Sequence, residues 1–141
     1  MMQTSEIFST KAEVYLPFFL HQYKVQAGFP SPADDYIEAK LDLNKYLVTN
    51  PVSTFFVRVS GYSMKHNGIN DKDLLIVDRS LEPCHNKIVV AVVRGEFTVK
   101  KLKINKEGNS YLIDESNSNS FIKLDEDSYV WGVVKSVIHE F

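Results

Sequence analysis

From Thr54 onward the chain alternates short runs of valine, isoleucine, leucine and phenylalanine with turn-forming residues. Branched and aromatic side chains fill the half-buried surface of a pleated sheet well, so this texture predicts a mainly β domain. Strands are predicted at residues 55–59, 74–78, 88–93, 97–104, 111–113, 121–124 and 130–140. Arg94-Gly95 and Gly108-Asn109 predict hairpin turns, since glycine adopts the positive φ that tight turns need. Residues 115–120, almost wholly serine and asparagine, predict a polar loop.

The earlier part of the chain lacks this texture. Residues 1–30 show little periodicity, and Ala27-Gly28-Phe29-Pro30-Ser31-Pro32 concentrates small residues and prolines that favour an extended, accessible backbone. Ser31-Pro32 followed by Asp34 and Asp35 predicts a helix start, with Ser31 as the cap, Pro32 in the first turn and negative charge near the positive end of the dipole. Ile37, Leu41 and Leu47 would line the buried face of that helix, and Asn50-Pro51 would stop it. The apolar strip at residues 14–20 is broken by Pro17 and is too short to span a bilayer, so it is expected to dock onto protein. An N-terminal arm with a short helical segment, residues 1–53, is therefore expected to precede a β domain, residues 54–141.

Composition narrows the classes. A chain of 141 residues with 44% apolar content can bury one ordinary core but hardly two. Its 16 basic and 18 acidic side chains give a formal charge of −2, which supplies no basic field to hold a nucleic-acid backbone. Cys84 stands alone and cannot form an internal disulfide, and the 4 histidines lack metal-ligand spacing. A reducing, cytoplasmic setting is expected, with no metal and no cofactor. The opening segment lacks the basic start of a secretory signal.

Ser60-Gly61-Tyr62-Ser63-Met64 follows a strongly β stretch, which puts Ser63 at a strand-to-turn junction where glycine lets the backbone bend. Such a turn can present a hydroxyl together with successive backbone N–H groups, those of Ser63 and Met64, to the oxyanion of an acyl-transfer intermediate. A turn serine that merely bonds its own backbone has the same local pattern. Serine also needs a base. His66 lies too close along the chain, and His21, His85 and His139 sit in unrelated contexts. In the run from Glu96 to Ile104, period-two alternation puts Lys100 on one face with Thr98, Leu102 and Ile104, and Lys101 and Lys103 on the other. An apolar neighbourhood disfavours the ammonium form and makes a lysine a base. Bringing a lysine from ~10.4 to ~7 takes about 4–5 kcal/mol, so burial is required. An exposed strand whose lysines protect a sheet edge would read the same way.

Several separated blocks in order, Gly28-Phe29-Pro30-Ser31-Pro32-Ala33, Asp42-Leu43-Asn44, Phe56-Val57, Ser60-Gly61-x-Ser63-Met64, Asp73-Leu74-Leu75-Ile76-Val77-Asp78, the stretch from Gly95 to Leu102, and Trp131-Gly132-Val133-Val134, resemble the LexA/UmuD-like peptidase S24 family. The resemblance runs from Pro17 to Val137. It implies a compact β-rich catalytic domain with an extended N-terminal arm. It also implies that Ser63 is the nucleophile, Lys100 its general base, and Ala27–Gly28 the bond cut within the same chain. Ala27 is small enough for a tight pocket, and Gly28 offers no side chain to obstruct attack. Homodimerisation, cleavage stimulated by a RecA–single-stranded DNA filament, and service of the shortened product to a UmuC-like Y-family polymerase in translesion synthesis follow from the same resemblance. Tyr62 stands where the family usually carries a small or acidic residue. The loop Ser116-Asn117-Ser118-Asn119 lacks the Asn-x-x-Tyr pattern often found there.

Three other classes compete. A LexA-type repressor would need a DNA-binding helical domain before the cut, and residues 1–27 carry no recognition-helix pattern. A signal peptidase would need membrane attachment. A non-enzymatic, dimeric polymerase-binding accessory protein would keep the fold with a serine and lysine that do not react, and fragment masses separate it from a peptidase.

Overall fold

The computed structural model describes residues 3–9, 17–21, 37–114 and 120–141. They divide into two compact units, one formed by Met1–Thr10 with Asn50–Phe141 and the other by Lys11–Thr49.

The larger unit holds strands β1 (Gln3–Ser9), then β4 (Thr54–Ser60), β5 (Leu74–Asp78), β6 (Ile88–Val93), β7 (Glu96–Ile104), β8 (Ser110–Ile113), β9 (Phe121–Lys123) and β10 (Ser128–Ile138). The smaller unit holds β2 (Pro17–His21), β3 (Ile37–Asp42) and the helix α1 (Leu43–Leu47). The molecule is thus mainly antiparallel β with one short α-helix among the described residues. No helix among them is long and apolar enough to cross a membrane.

In the larger unit the strand order is β1-β4-β5-β10-β6-β7-β8-β9, and β1 also pairs with β7. That second pairing, Gln3 with Thr98, closes the first six strands on themselves and leaves β8 and β9 as an extension of β7. Closure removes the open edges that a flat sheet would expose. Alternation along the strands then sorts the apolar side chains. Val57, Val59, Leu75, Val77, Val90 and Val99 form one cluster with Met64 and Ile69, while Val89, Ala91, Leu102, Leu112 and Val133 form a second. Trp131 of β10 packs its ring against Phe55 and Phe97, and the Arg79 guanidinium lies 4.6 Å above it.

The valine-rich runs become strands where expected, and β5 and β6 have the bounds read from the sequence. The Arg94-Gly95 turn joins β6 to β7 with φ of 51° and 82°, a left-handed pair that fits the twist of a two-residue hairpin. The β7–β8 connection is wider. Its loop runs over residues 105–109, with the Asn105 N–H donating to Asn109 and the Gly108 N–H donating to Asn105.

Two elements differ from expectation. The helix proposed from Ser31 and Pro32 would have carried Ile37, Leu41 and Leu47 on one face. Instead, Ile37 and Leu41 belong to β3, and the helix is only Leu43–Leu47. Residues 37–42 alternate apolar with polar, a strand period, and Asp42 rather than Ser31 caps the helix by accepting from the Asn44 N–H at 3.0 Å. Ser31 and Pro32 lie outside the described residues. The second difference is β1, which has no alternation to announce it. It is held by main-chain pairing with β4 from Gln3–Ser60 to Ser9–Phe55, and such bonds require no side-chain pattern.

Asn50, expected as a helix stop, serves the larger unit. It donates to Asp78 at 2.8 Å, and together with Ser53 it fastens the entry of β4 to the end of β5.

Candidate active site

β4 ends at Ser60, and Gly61 turns the chain with φ of 108°, a conformation that a side chain would strain. The Gly61 N–H donates to Asp71 at 2.8 Å, which ties the turn to the loop leading into β5. That loop is anchored in turn. Asp73 accepts from the Asn70 N–H, and its backbone bridges to Val59. Ser63 follows at 6% exposure and Met64 at 0%, its side chain inserted into the cluster that contains Val99. The Met64 carbonyl accepts from the N–H groups of Asn67 and Ile69, and a single 3₁₀ turn, Lys65–Asn67, completes the bend. A serine is thereby held just below the surface on a rigid corner. Tyr62, 72% exposed, forms its outer lip.

Lys100 lies in mid-β7 and is 1% exposed, the largest of the fully buried side chains. It is not an edge-protecting lysine. On one side β6 presents Val89 directly opposite. On the other side β7 changes neighbour around Lys100, for Thr98 pairs with Gln3 of β1 while Lys101 to Ile104 pair with β8. Lys100 therefore stands where the sheet splits. Lys101 and Lys103 reach the other face and are only partly covered.

The same strand relates the two candidate residues. Gln3 pairs with Ser60 on β4 and with Thr98 on β7, both antiparallel, so β4 and β7 run in the same direction on either side of β1. Ser63 is three residues past Ser60 and Lys100 two past Thr98, which puts their backbones beyond the same end of β1. Two strand spacings, ~10 Å, separate Ser60 from Thr98, the paired positions from which the chain continues to Ser63 and to Lys100. Thr98, on the Lys100 face, also lines a groove of about 840 Å³ with Phe97, Phe121 and Ile122.

A residue that sequence reasoning did not find completes the site. Lys100 Nζ donates to Asp114 Oδ2 at 3.3 Å, with side-chain exposures of 2% and 9%. The only sequence signal for it is the length of the β7–β8 loop, which fixes which residue of the returning strand lies opposite Lys100. Two of the discarded histidines have other partners. His85 Nδ1 accepts from the Ile104 N–H at 2.8 Å, and His139 Nδ1 lies 2.5 Å from Asp73 Oδ1. Ala27, Gly28 and residues 116–119 lie outside the described residues. No group of three or more His, Cys, Asp or Glu among the described residues is arranged to hold a metal ion.

A buried turn serine and a buried lysine in one β sheet fit the class of serine peptidases, and the comparisons with known proteins agree with that class. The peptidase S24-like family matches residues 17–135. Protein ImpA of Salmonella typhimurium is 48% identical over 117 residues, 82% of this chain and 79% of its own length. Protein MucA of Escherichia coli is 43% identical over 84% of this chain and 81% of its own length. A LexA repressor from Pectobacterium carotovorum is 39% identical over 72% of this chain but only 50% of its own length. The chain belongs to the peptidase S24-like family of serine peptidases and is a UmuD-like SOS mutagenesis protein within it.

Proposed function

We propose that the protein is a single-use peptidase that cuts its own Ala27–Gly28 bond with Ser63 as nucleophile and Lys100 as general base. The observation that supports this reading is the burial of Lys100 in mid-β7, two residues past Thr98, whose partner Gln3 also pairs with Ser60 at the start of the Ser63 turn. A lysine costs free energy to bury, and buried ionisable groups of this kind cluster at functional sites. Residues 1–53 act as the arm that carries the substrate bond and residues 54–141 as the catalytic part.

In the reaction, the Lys100 amine takes the proton of the Ser63 hydroxyl as Oγ bonds to the Ala27 carbonyl carbon. The oxyanion is received by the N–H groups of Ser63 and Met64, a contribution of ~3–4 kcal/mol per well-placed donor. The Ala27–Gly28 C–N bond then breaks, with Lys100 returning its proton to the Gly28 nitrogen. Water, deprotonated by the same amine, attacks the Ala27 ester and frees Ser63. No metal or cofactor enters.

The resemblance to UmuD-like proteins further supports a homodimer in the cytoplasm whose cleavage is stimulated by a RecA–single-stranded DNA filament. The shortened product then serves a UmuC-like Y-family polymerase. A net charge of −2 accords with recognition of protein rather than of DNA directly. Incubation with RecA, single-stranded DNA and a nucleotide, followed by N-terminal sequencing, tests the assignment. A larger fragment beginning at Gly28 is expected. No cut under any such condition would leave a dimeric polymerase-binding accessory protein instead.

A further inference from the structure

Residues directly opposite on antiparallel strands share a face of the sheet. β7 and β8 pair Leu102 with Leu112 and Lys101 with Ile113, so one step past the end of β8 the register brings Asp114 opposite Lys100. The two side chains meet as a buried ion pair at 3.3 Å. Among the described residues, the other register partners on that face near the ammonium are uncharged. β6 contributes Val89 and Ala91, β8 contributes Leu112, and β7 itself contributes Thr98 and Leu102, with Glu96 only at its exposed start. The bend after β4 carries Ser63, and its titratable groups, Tyr62, Lys65 and His66, are exposed.

A carboxylate at this range favours the charged form of an amine. That is the opposite of what the dyad needs to begin. We propose that Asp114 is a positioning residue for self-cleavage, which holds Lys100 at rest as a hydrogen-bonded ammonium and releases it as a base only when that proton is lost. This rests on the Ser63–Lys100 reading above. The proton passes from Nζ to hydroxide or water, Asp114 stays ionised, and the freed lone pair then accepts the Ser63 proton. Once it has done so, the same carboxylate stabilises the ammonium formed in the transition state. Asp114 therefore acts in two directions, slowing the start of the reaction at neutral pH and speeding the chemical step once the amine is free.

The test is the pH–rate profile of self-cleavage in the full-length chain. In Asp114→Asn the midpoint moves toward neutral by ~1 pH unit or more and the alkaline plateau falls, so the two profiles cross. Asp114→Glu, which keeps the charge, retains the original midpoint. A merely structural role would lower the rate at every pH and leave the midpoint in place, and superimposable midpoints overturn the proposal. If Lys100→Ala is inert while the Asp114→Asn midpoint stays fixed, only the role of Asp114 falls. If Lys100→Ala cuts normally, or the wild-type chain never cuts, the dyad falls with it. Should Asp114→Asn not fold, the protonation state is read in Ser63→Ala, which cannot consume itself. The ¹⁵Nζ resonance of Lys100 at neutral pH is then that of an ammonium, and a free-amine signal overturns the proposal.

Discussion

Two of the three buried aspartates described in the larger unit, Asp78 and Asp114, are stabilised in opposite ways. Asp78, 0% exposed at the end of β5, faces neutral donors. Its Oδ1 accepts from Ser53 Oγ and from both the N–H and hydroxyl of Ser80, and its Oδ2 accepts from Asn50. Burial alone raises its pKa, but the hydrogen bonds from Asn50, Ser80 and Ser53 outweigh that and hold the carboxyl well below the usual range. Asp114 faces an ammonium instead. A carboxylate satisfied by neutral donors fastens structure and has no proton to exchange at working pH. One paired with a lysine shares an equilibrium with it, and that equilibrium can be used.

The largest effect separating the two places is on cleavage. Lys100→Ala is expected to lower self-cleavage by ~10²–10⁴-fold, the range of a lost general base, in a chain whose circular dichroism shows it folded. Asp78→Asn is expected to leave the pH midpoint of cleavage unchanged and to destabilise the fold by about 1–3 kcal/mol at pH 7, read from urea unfolding. Cleavage that tracks Asp78 as it tracks Lys100 would erase the contrast.

A smaller, pH-dependent effect sharpens it. The folded-state pKa of Asp78 is depressed, so its contribution is fully present above the unfolded value of ~3.9 and is lost as pH falls from there through the folded value. The stability gap between the wild type and Asp78→Asn should therefore be constant near neutrality and close in acid. A gap that widens in acid contradicts the assignment. The smallest effect belongs to Lys103, which is exposed beside Asn86 on the other face of the same strand. Lys103→Ala should change stability by no more than ~0.5 kcal/mol and leave cleavage intact.

How far the sequence discloses these places follows from their physics. β4 through β10 are legible because short runs of branched and aromatic residues separated by turn residues mark them, and Lys100 is singled out because it interrupts an apolar face. β1 is invisible, since its residues show no alternation and the pairing that places it is between main chains. Residues 37–42 mislead because the cap-like Ser31-Pro32 with Asp34 and Asp35 outweighs a short period-two pattern. Asp114 escapes notice because its partner lies across a hairpin whose register depends on a five-residue loop, residues 105–109. Asp78 and its donors are equally silent, as Asn50 and Ser53 meet it only once β4 lies beside β5.

The central claim is that Ser63 and Lys100 act together on a bond in their own chain. Alkaline incubation of the purified protein, followed by mass determination of the products, tests it most directly. The account predicts a single cut with the larger fragment beginning at Gly28, and intact chains in both Ser63→Ala and Lys100→Ala. A fragment that begins elsewhere, or the same cut in either variant, would contradict it.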